Sequence, residues 1–450
     1  MKKLFLGLIV IVVILVAPLG VKNFINNTLE EKKDVLNNNG IEFNVLSSNG
    51  YFSSHREFEI SINDISKFQI FLKDKALEIN DIFRPIVESI DITKFRNIET
   101  LKSIIFKGEM DNSNINPFSK IKSKMYLASM PKSFEKDRDI KTILDNKTIA
   151  FDLVFSFAGK LENIILKDID YKNKFMLTDT KFDNKTDDNN IAGILNIGKM
   201  NLLSSNRNDR MLLDKVNCDF TYKNYFENST DFFLNSFAIN NDIKIDKLDM
   251  STKGSLVGNN YSGNTNISFE NTILDLRKNQ FIKISNFNLN IDVNDFDSKS
   301  LLNFNDLYNQ SIVDSFVGYS KKNRINEIMK YQMELEKVLI DFLNHGGEVK
   351  ADLSFKEFNN AIISLNNPKL DMYFKLDKNN LTLLNANKKI LEYLDLEINL
   401  KLKKVDYENL LKIFRTRMLD NYVKFENNEA LFKVKTINNQ INVNGKTIRL

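Results

Sequence analysis

Tryptophan is absent from these 450 residues, proline occurs five times, histidine twice and cysteine once. The single cysteine, Cys218, excludes an internal disulfide, and its strand-like surroundings favour a small buried residue. The two histidines, His55 and His345, are too few for a histidine-rich metal site. No third group is identifiable that would orient His55 toward a neighbouring serine, and His345 stands at a predicted helix end.

An excess of charge of one sign is also missing, since 63 Lys and Arg face 59 Asp and Glu for a net charge of +4. A nucleic-acid surface needs clustered positive charge, so we expect no nucleic-acid partner. The phosphate-binding loop G-x-x-x-x-G-K-[ST], the zinc motif H-E-x-x-H and the hydrolase motif G-x-S-x-G do not occur. We therefore assign no catalytic, metal-binding or cofactor-binding residue, and we expect a non-enzymatic protein without cofactors.

One long apolar run is present, from Leu4 to Val21, directly after Lys2 and Lys3. A membrane-spanning helix needs about 20 apolar residues, with a lower limit near 17, and basic residues stay on the cytoplasmic side. Cleavage as a signal peptide after Ala17 is disfavoured because Leu15 occupies the position that needs a small residue. We predict an uncleaved anchor over residues 1–21, represented by Leu4, Ile9, Ile11, Ile14 and Leu19.

The segment 22–40 is a predicted polar helical stalk that ends at Gly40. Beyond it, apolar and polar residues alternate with the period of two that is typical of strands with one dry face. Phe58, Ile60 and Ile62 follow this pattern. The sequence predicts an N-terminal antiparallel β region over residues 41–300.

Helical periodicity returns in a predicted insert over residues 301–345, broken near Gly318. Its second half has one apolar helix face, which includes Val338 and Leu339. Residues 346–450 are a predicted C-terminal antiparallel β region with one helix at about 406–422. The fold class is thus mainly β with helical additions: an N-terminal transmembrane helix, then a long, curved antiparallel β-meander with a helical insert.

The clearest alternation lies in the C-terminal region, where it predicts one uninterrupted apolar strand face. A continuous apolar face must meet another sheet, helices or a ligand. As a candidate apolar groove we single out Leu394, Leu396, Ile398, Leu400 and Leu402.

Three stretches together resemble the YdgA-like family of bacterial envelope proteins, a domain of unknown function. They are the opening Met1-Lys2-Lys3-Leu4, the motif Asn49-Gly50-Tyr51-Phe52-Ser53-Ser54, and a tail that ends in Asn444-Gly445-Lys446. The chain departs from the family's usual aromatic-x-Gly order at Asn49 to Tyr51, and the family's Gly-Pro signature is not evident. The resemblance implies a bacterial inner-membrane anchor with a cytoplasmic N-terminus and a β-rich periplasmic body, and it supplies no catalytic residues.

Two functions from different classes follow as expectations. The first is binding or shuttling of lipids or other hydrophobic envelope components along the apolar sheet face. The second is an envelope scaffold or chaperone-like interaction protein with a closed core. The expected partners are the bilayer, through the N-terminal helix, and a lipid ligand or an envelope protein; the sequence does not indicate an oligomeric state.

Overall fold

The computed structural model divides the chain into two compact units, Met1–Gly198 and Lys199–Leu450. Below they are the N-terminal and the C-terminal unit. The residues that the structure describes are 21–45, 50–79, 102–116, 119–131, 138–171, 175–187, 190–203, 210–240, 242–275, 281–304, 307, 324–382, 384–414 and 420–448.

Helices are a minor part of both units. They are α1 (21–38), α2 (Ile65–Ile79), α3 (Arg138–Asp145), α4 (298–304), α5 (Arg324–His345), α6 (Ala386–Tyr393) and α7 (Lys404–Phe414).

Strands make the larger part, so the protein is mainly β, as predicted. They are β1 (Ile41–Val45), β2 (Ser53–Ile62), β3 (Ile105–Ser113), β4 (Ile121–Ser129), β5 (Ala150–Phe155), β6 (Leu161–Leu166), β7 (Ile169–Tyr171), β8 (Phe175–Thr178), β9 (Thr180–Asn184), β10 (Ile191–Leu203), β11 (Arg210–Tyr222), β12 (Asn228–Ile239), β13 (Ile243–Val257), β14 (Asn260–Asp275), β15 (Phe281–Asp297), β16 (Gly347–Ser354), β17 (Glu357–Asn360), β18 (Ser364–Asn366), β19 (Lys369–Leu376), β20 (Leu394–Lys403), β21 (Lys424–Glu426), β22 (Glu429–Ile437), β23 (Gln440–Val443) and β24 (Lys446–Ile448).

In the N-terminal unit, the strands β1 to β6 pair antiparallel in chain order, followed by β9 and β10. Their apolar face is covered by α1, whose Ile25 is 1% exposed and packs among Phe58 and Met110. At the edge of this core the ring of Phe24 stacks on that of Phe157, with centroids 4.8 Å apart. The segment predicted as a stalk is therefore helical and forms part of the core of this unit.

In the C-terminal unit, the meander runs antiparallel from β11 through β16, and continues through β19, β20, β22, β23 and β24. The short strands β17 and β18 form a hairpin whose first strand pairs with β15. Two helices pack on this sheet. The ring of Phe342 in α5 stacks on Phe296 at 5.0 Å, and Tyr407 in α7 lies 5.6 Å from Phe432.

Three residues with left-handed backbone lie in one line across the C-terminal unit. Lys215 in β11, Lys247 in β13 and Asn286 in β15 have φ values of 48°, 50° and 47°, and the strand registers place them in one row. At this row the apolar alternation shifts by one residue, as from Ile245 to Leu248 in β13. Because a left-handed residue interrupts the pleat, the apolar residues of both segments can share one face.

Helices occur at several places where the sequence analysis predicted none. The N-terminal β region, predicted without helices, contains α2 and α3, and the C-terminal β region has α6 and α7 instead of one helix at 406–422. Asp64 accepts a hydrogen bond from the Lys67 backbone N at 3.0 Å and so caps the start of α2. A helix cap of this kind does not affect the alternation of apolar and polar residues, so the alternation did not predict α2. The apolar helix face predicted for the insert is partly exposed to solvent, since Leu339 is exposed.

The predicted anchor lies outside the described residues over positions 1–20. In the part of the chain from residue 21 onward that the structure describes, no helix is both long enough and apolar enough to cross a membrane. The anchor stays a prediction.

Candidate functional site

One apolar residue from each of nine strands of the C-terminal unit lies in register with the next across the sheet. We call this row the apolar stripe. Its members, in order from β11 to β22, are Cys218, Phe232, Met250, Ile267, Leu289, Leu353, Leu370, Leu400 and Phe432.

The stripe runs across the strands and is therefore long. Eight steps between neighbouring strands, each of about 4.8 Å, give a length of about 38 Å. That is more than the roughly 30 Å thickness of the hydrocarbon core of a bilayer. The stripe is long enough to lie against two acyl chains placed end to end.

The opposite face of the same strands is polar. The matching row one residue away reads Asp219, Asp231, Ser251, Asn266, Asn290, Asp352, Asp371, Asn399 and Lys433. Side-chain amides join neighbouring strands on this face: Asn264 Nδ2 donates to Asn290 Oδ1 at 3.0 Å. Each strand thus has one face suited to water and one face that needs a cover.

The cover over the apolar face is uneven. Under α7 the side chains are buried: Ala430 is fully buried, and Leu402 is 6% exposed. The eight stripe residues from Cys218 to Leu400 are each only partly buried. Burial on this face is therefore complete at Ala430 and Leu402, and at Val216 and Leu234 beside the stripe, but incomplete at the eight stripe residues themselves.

The predicted groove residues lie together on this apolar face. Leu394, Leu396 and Ile398 are partly buried. Their partners across the strand pair are Leu376, Phe374 and Met372 of β19. Leu400 belongs to the stripe and also contacts the core beneath α7, where Leu402 is buried. The row along β20 therefore divides into a covered end and a partly exposed end.

Most of the stripe was not predicted from the sequence, because an alternating pattern relates residues within one strand and not residues of neighbouring strands. The members from β11 to β16 are each visible as one apolar position in an alternating run. Their alignment requires the register of every strand pair, which a single sequence does not provide. The Cys218 thiol is part of this apolar face, and burial raises its pKa, so it is a packing residue with little thiolate character.

The polar clusters of the described residues fit structural roles better than chemistry. Ser300 Oγ lies 3.0 Å from His345 Nδ1, but Ser300 is 1% exposed. Its backbone N and its Oγ both donate to Asp297, at 2.8 and 2.9 Å, at the start of α4. Burial works against ionisation of Asp297, but these hydrogen bonds outweigh it and hold the pKa of Asp297 below its usual range. The arrangement caps a helix and leaves no room for a substrate.

His55 also has a structural partner. Its Nδ1 lies 2.8 Å from Asp111 Oδ1 on the neighbouring strand, and this hydrogen bond raises the pKa of His55. Ser54 points to the opposite, buried face, so the two do not form a nucleophile and base. Nowhere in the described ranges do three or more His, Cys, Asp or Glu side chains form a group that could hold a metal ion.

A concave region of about 730 Å³ lies on the polar face of the N-terminal unit. Its walls carry charges of both signs, including Lys107, Glu109, Lys124 and Lys147. The Lys147 ammonium stands 4.0 Å from the centre of the Tyr126 ring, and Lys107 is 3.4 Å from Glu59. Because cations and carboxylates alternate here, the region favours no single class of ligand, and size alone does not make it the functional site.

The N-terminal unit also contains a buried cation. Arg56 is 2% exposed, and its guanidinium donates to Asn112 Oδ1 at 2.5 Å and to Asn26 Oδ1 of α1 at 2.8 Å. Asn112 donates in turn to Asn114, which is fully buried and donates to the backbone carbonyl of Gly50 at 3.1 Å. No carboxylate of the described residues forms an ion pair with Arg56. Burial lowers its pKa from the ordinary arginine value, and neutral amides stabilise the charge.

Comparison with protein-family models, with curated proteins and with solved structures finds no match. The resemblance to the YdgA-like family therefore stays a prediction, and the functional argument depends on the geometry of the chain itself.

Proposed function

We propose that this protein is a non-enzymatic, membrane-anchored protein of the bacterial envelope that binds or shuttles lipids or similar hydrophobic molecules along the apolar stripe. In this proposal the N-terminal helix spans the inner membrane and both units lie in the periplasm. The lipid lies across the strands of the C-terminal unit with its acyl chains against the stripe.

The observation that carries the proposal is the partial exposure of the stripe. A closed core would bury these side chains as completely as Ala430 and Leu402, which lie beneath α7. The stripe residues between β11 and β20 stay partly exposed, although the other face of the same strands already meets water. A long, partly exposed apolar surface of this kind is typical of a binding site for an apolar partner.

The expected energetics favour acyl chains. Burying one CH₂ group contributes about 0.8 kcal/mol, so twelve of them contribute on the order of 10 kcal/mol before the costs of association. The stripe has no charged member and no hydrogen-bonding group beyond the thiol of Cys218. It therefore offers little to distinguish one headgroup from another, and we expect selection for acyl chains.

The test is a count of lipids on the full-length chain, purified from its native membranes and analysed by quantitative lipid mass spectrometry. Leu289→Asp places a charge in the middle of the stripe and should lower the lipid-to-protein ratio. Asn288→Asp introduces the same residue type at the adjacent position, on the polar face, and should leave the lipid-to-protein ratio unchanged. All three proteins share the N-terminal segment, so lipids held there cancel in the comparison.

Equal lipid loads in the three proteins would contradict the proposal. The scaffold with a closed core would become the better account if, in addition, the wild-type protein did not exchange lipid with added vesicles and the Leu289→Asp variant were unfolded.

A further inference from the structure

We propose that one end of the N-terminal unit, formed by Tyr51, Phe52 and Ile115, rests in the interfacial layer of the bilayer beside the anchor. This membrane-contacting end would be a second attachment to the bilayer, separate from the spanning helix. The inference depends on the anchor of the proposed function, and it is independent of what the apolar stripe binds.

The direction of α1 decides which end of the unit faces the anchor. Near its last turn, the side chain of Asn37 accepts from the backbone N of Phe43, beside the end of β2 at Ile62. Nearer its start, Asn26 accepts from Arg56, toward the beginning of β2. The helix therefore begins, at residue 21, on the side where β2 begins. The predicted membrane span Leu4–Val21 joins the unit at this end.

The same end carries a concentration of exposed apolar side chains. Phe52 is 58% exposed, Ile115 55%, Phe24 46% and Tyr51 39%. Tyr51 and Phe52 form an edge-to-face pair with centroids 4.9 Å apart just before β2. The backbone N of Asn114 donates to the carbonyl of Phe52 at 2.8 Å, which brings the end of β3 and Ile115 beside the aromatic pair.

Simple geometry places these residues level with the end of the predicted membrane span. From Asn26 to residue 21 the helix rises about 7.5 Å, at 1.5 Å per residue. From Arg56 to Phe52 the chain extends about 13 Å, at roughly 3.3 Å per residue. The aromatic pair thus reaches about 6 Å beyond the start of α1, level with the last turn of the predicted span Leu4–Val21 and just inside the boundary between the headgroup layer and the hydrocarbon core.

The chemistry of this end suits a lipid surface. Tyrosine rings favour the membrane–water interface, where the apolar ring and the polar hydroxyl are both satisfied. The neighbouring loop between β5 and β6, which packs on α1 through Phe157 and Phe24, carries exposed Lys160. A cation near the bilayer surface favours anionic headgroups.

The absence of tryptophan gives a direct test in the full-length chain. Phe52→Trp introduces a single tryptophan, which can be excited separately from the tyrosines, at the proposed membrane contact. Ile70→Trp is the matched control, since Ile70 is 59% exposed and lies on α2, which begins at the opposite end of β2. Both variants are reconstituted into vesicles of phosphatidylethanolamine and phosphatidylglycerol that contain phosphatidylcholine brominated on its acyl chains.

We expect the Phe52→Trp protein to emit at shorter wavelength and to lose most of its fluorescence to the brominated lipid, while the Ile70→Trp protein is quenched only by aqueous acrylamide. Equal quenching of the two by bromine, or none of either, in protein that sediments with the vesicles would overturn the membrane-contacting end and leave lipid binding on the stripe standing. Protein that does not sediment with the vesicles would overturn the anchor and this contact together.

Discussion

Aspartate in place of Leu402 should destabilise the C-terminal unit strongly, while the same residue in place of Ile398 should leave it folded. The two positions lie on one face of β20, four residues apart. Leu402 is buried beneath α7, so Leu402→Asp would bury an unpaired carboxylate and cost about 3–5 kcal/mol. Ile398 is partly exposed, so the carboxylate of Ile398→Asp can reach water and should cost about 1 kcal/mol.

Thermal unfolding of the full-length variants measures this difference. For a unit of this size, 1 kcal/mol shifts Tm by roughly 2–4 °C, so the two variants should differ by about 5–10 °C or more. Equal and large losses of stability would mean that the face is closed along its whole length, which would favour the scaffold. Equal and small losses would mean that α7 does not seal its end of the face.

The second large effect is expected at the buried arginine of the N-terminal unit. Asn112→Ala removes an acceptor from the Arg56 guanidinium, which would stay buried with one partner fewer, at a cost of about 2–3 kcal/mol. Arg56→Lys should cost at least as much, because one ammonium group cannot reproduce the fork that reaches both Asn26 and Asn112. Since Asn26 belongs to α1, either change should loosen this helix from the sheet.

Hydrogen exchange localises that effect. The amides of α1 should exchange faster in Asn112→Ala and in Arg56→Lys, whereas β20 in the other unit should keep its wild-type protection. His55→Ala is the control, because His55 is next to Arg56 in the chain but lies on the opposite, exposed face of β2. This substitution should change the free energy of unfolding by about 0.5 kcal/mol or less. Unchanged protection of α1 in both network variants would show that apolar packing around Ile25 alone holds the helix.

The strands show how much of this fold a single sequence can predict. Alternation identifies β2, β15, β16, β19 and β20, because each has one wet and one dry face and side chains alternate in a strand. The polar helix after residue 21 and its end near Gly40 are also predicted correctly. Gly40 has a φ of 79°, the left-handed conformation expected of a residue that stops a helix.

What could not be predicted depends on contacts between residues far apart in the chain. The β20 row looks like a uniform apolar face in sequence, yet α7 buries Leu402 and leaves Ile398 partly exposed. The stripe joins Cys218 to Phe432 through eight strand registers, and each register is fixed by tertiary packing. Likewise, Arg56 reads as an ordinary polar strand residue until Asn26 and Asn112 meet it from two other elements.

The most direct test of lipid binding on the apolar stripe is site-specific photocrosslinking in cells. A photoreactive amino acid is placed at Leu289 or Leu353 on the stripe, and at Asn288 or Asp352 on the polar face of the same strands. Mass spectrometry of the purified full-length chain then detects covalent lipid adducts. Our account predicts adducts from the two stripe positions and none from the two polar positions; adducts from neither face, or from both equally, would contradict it.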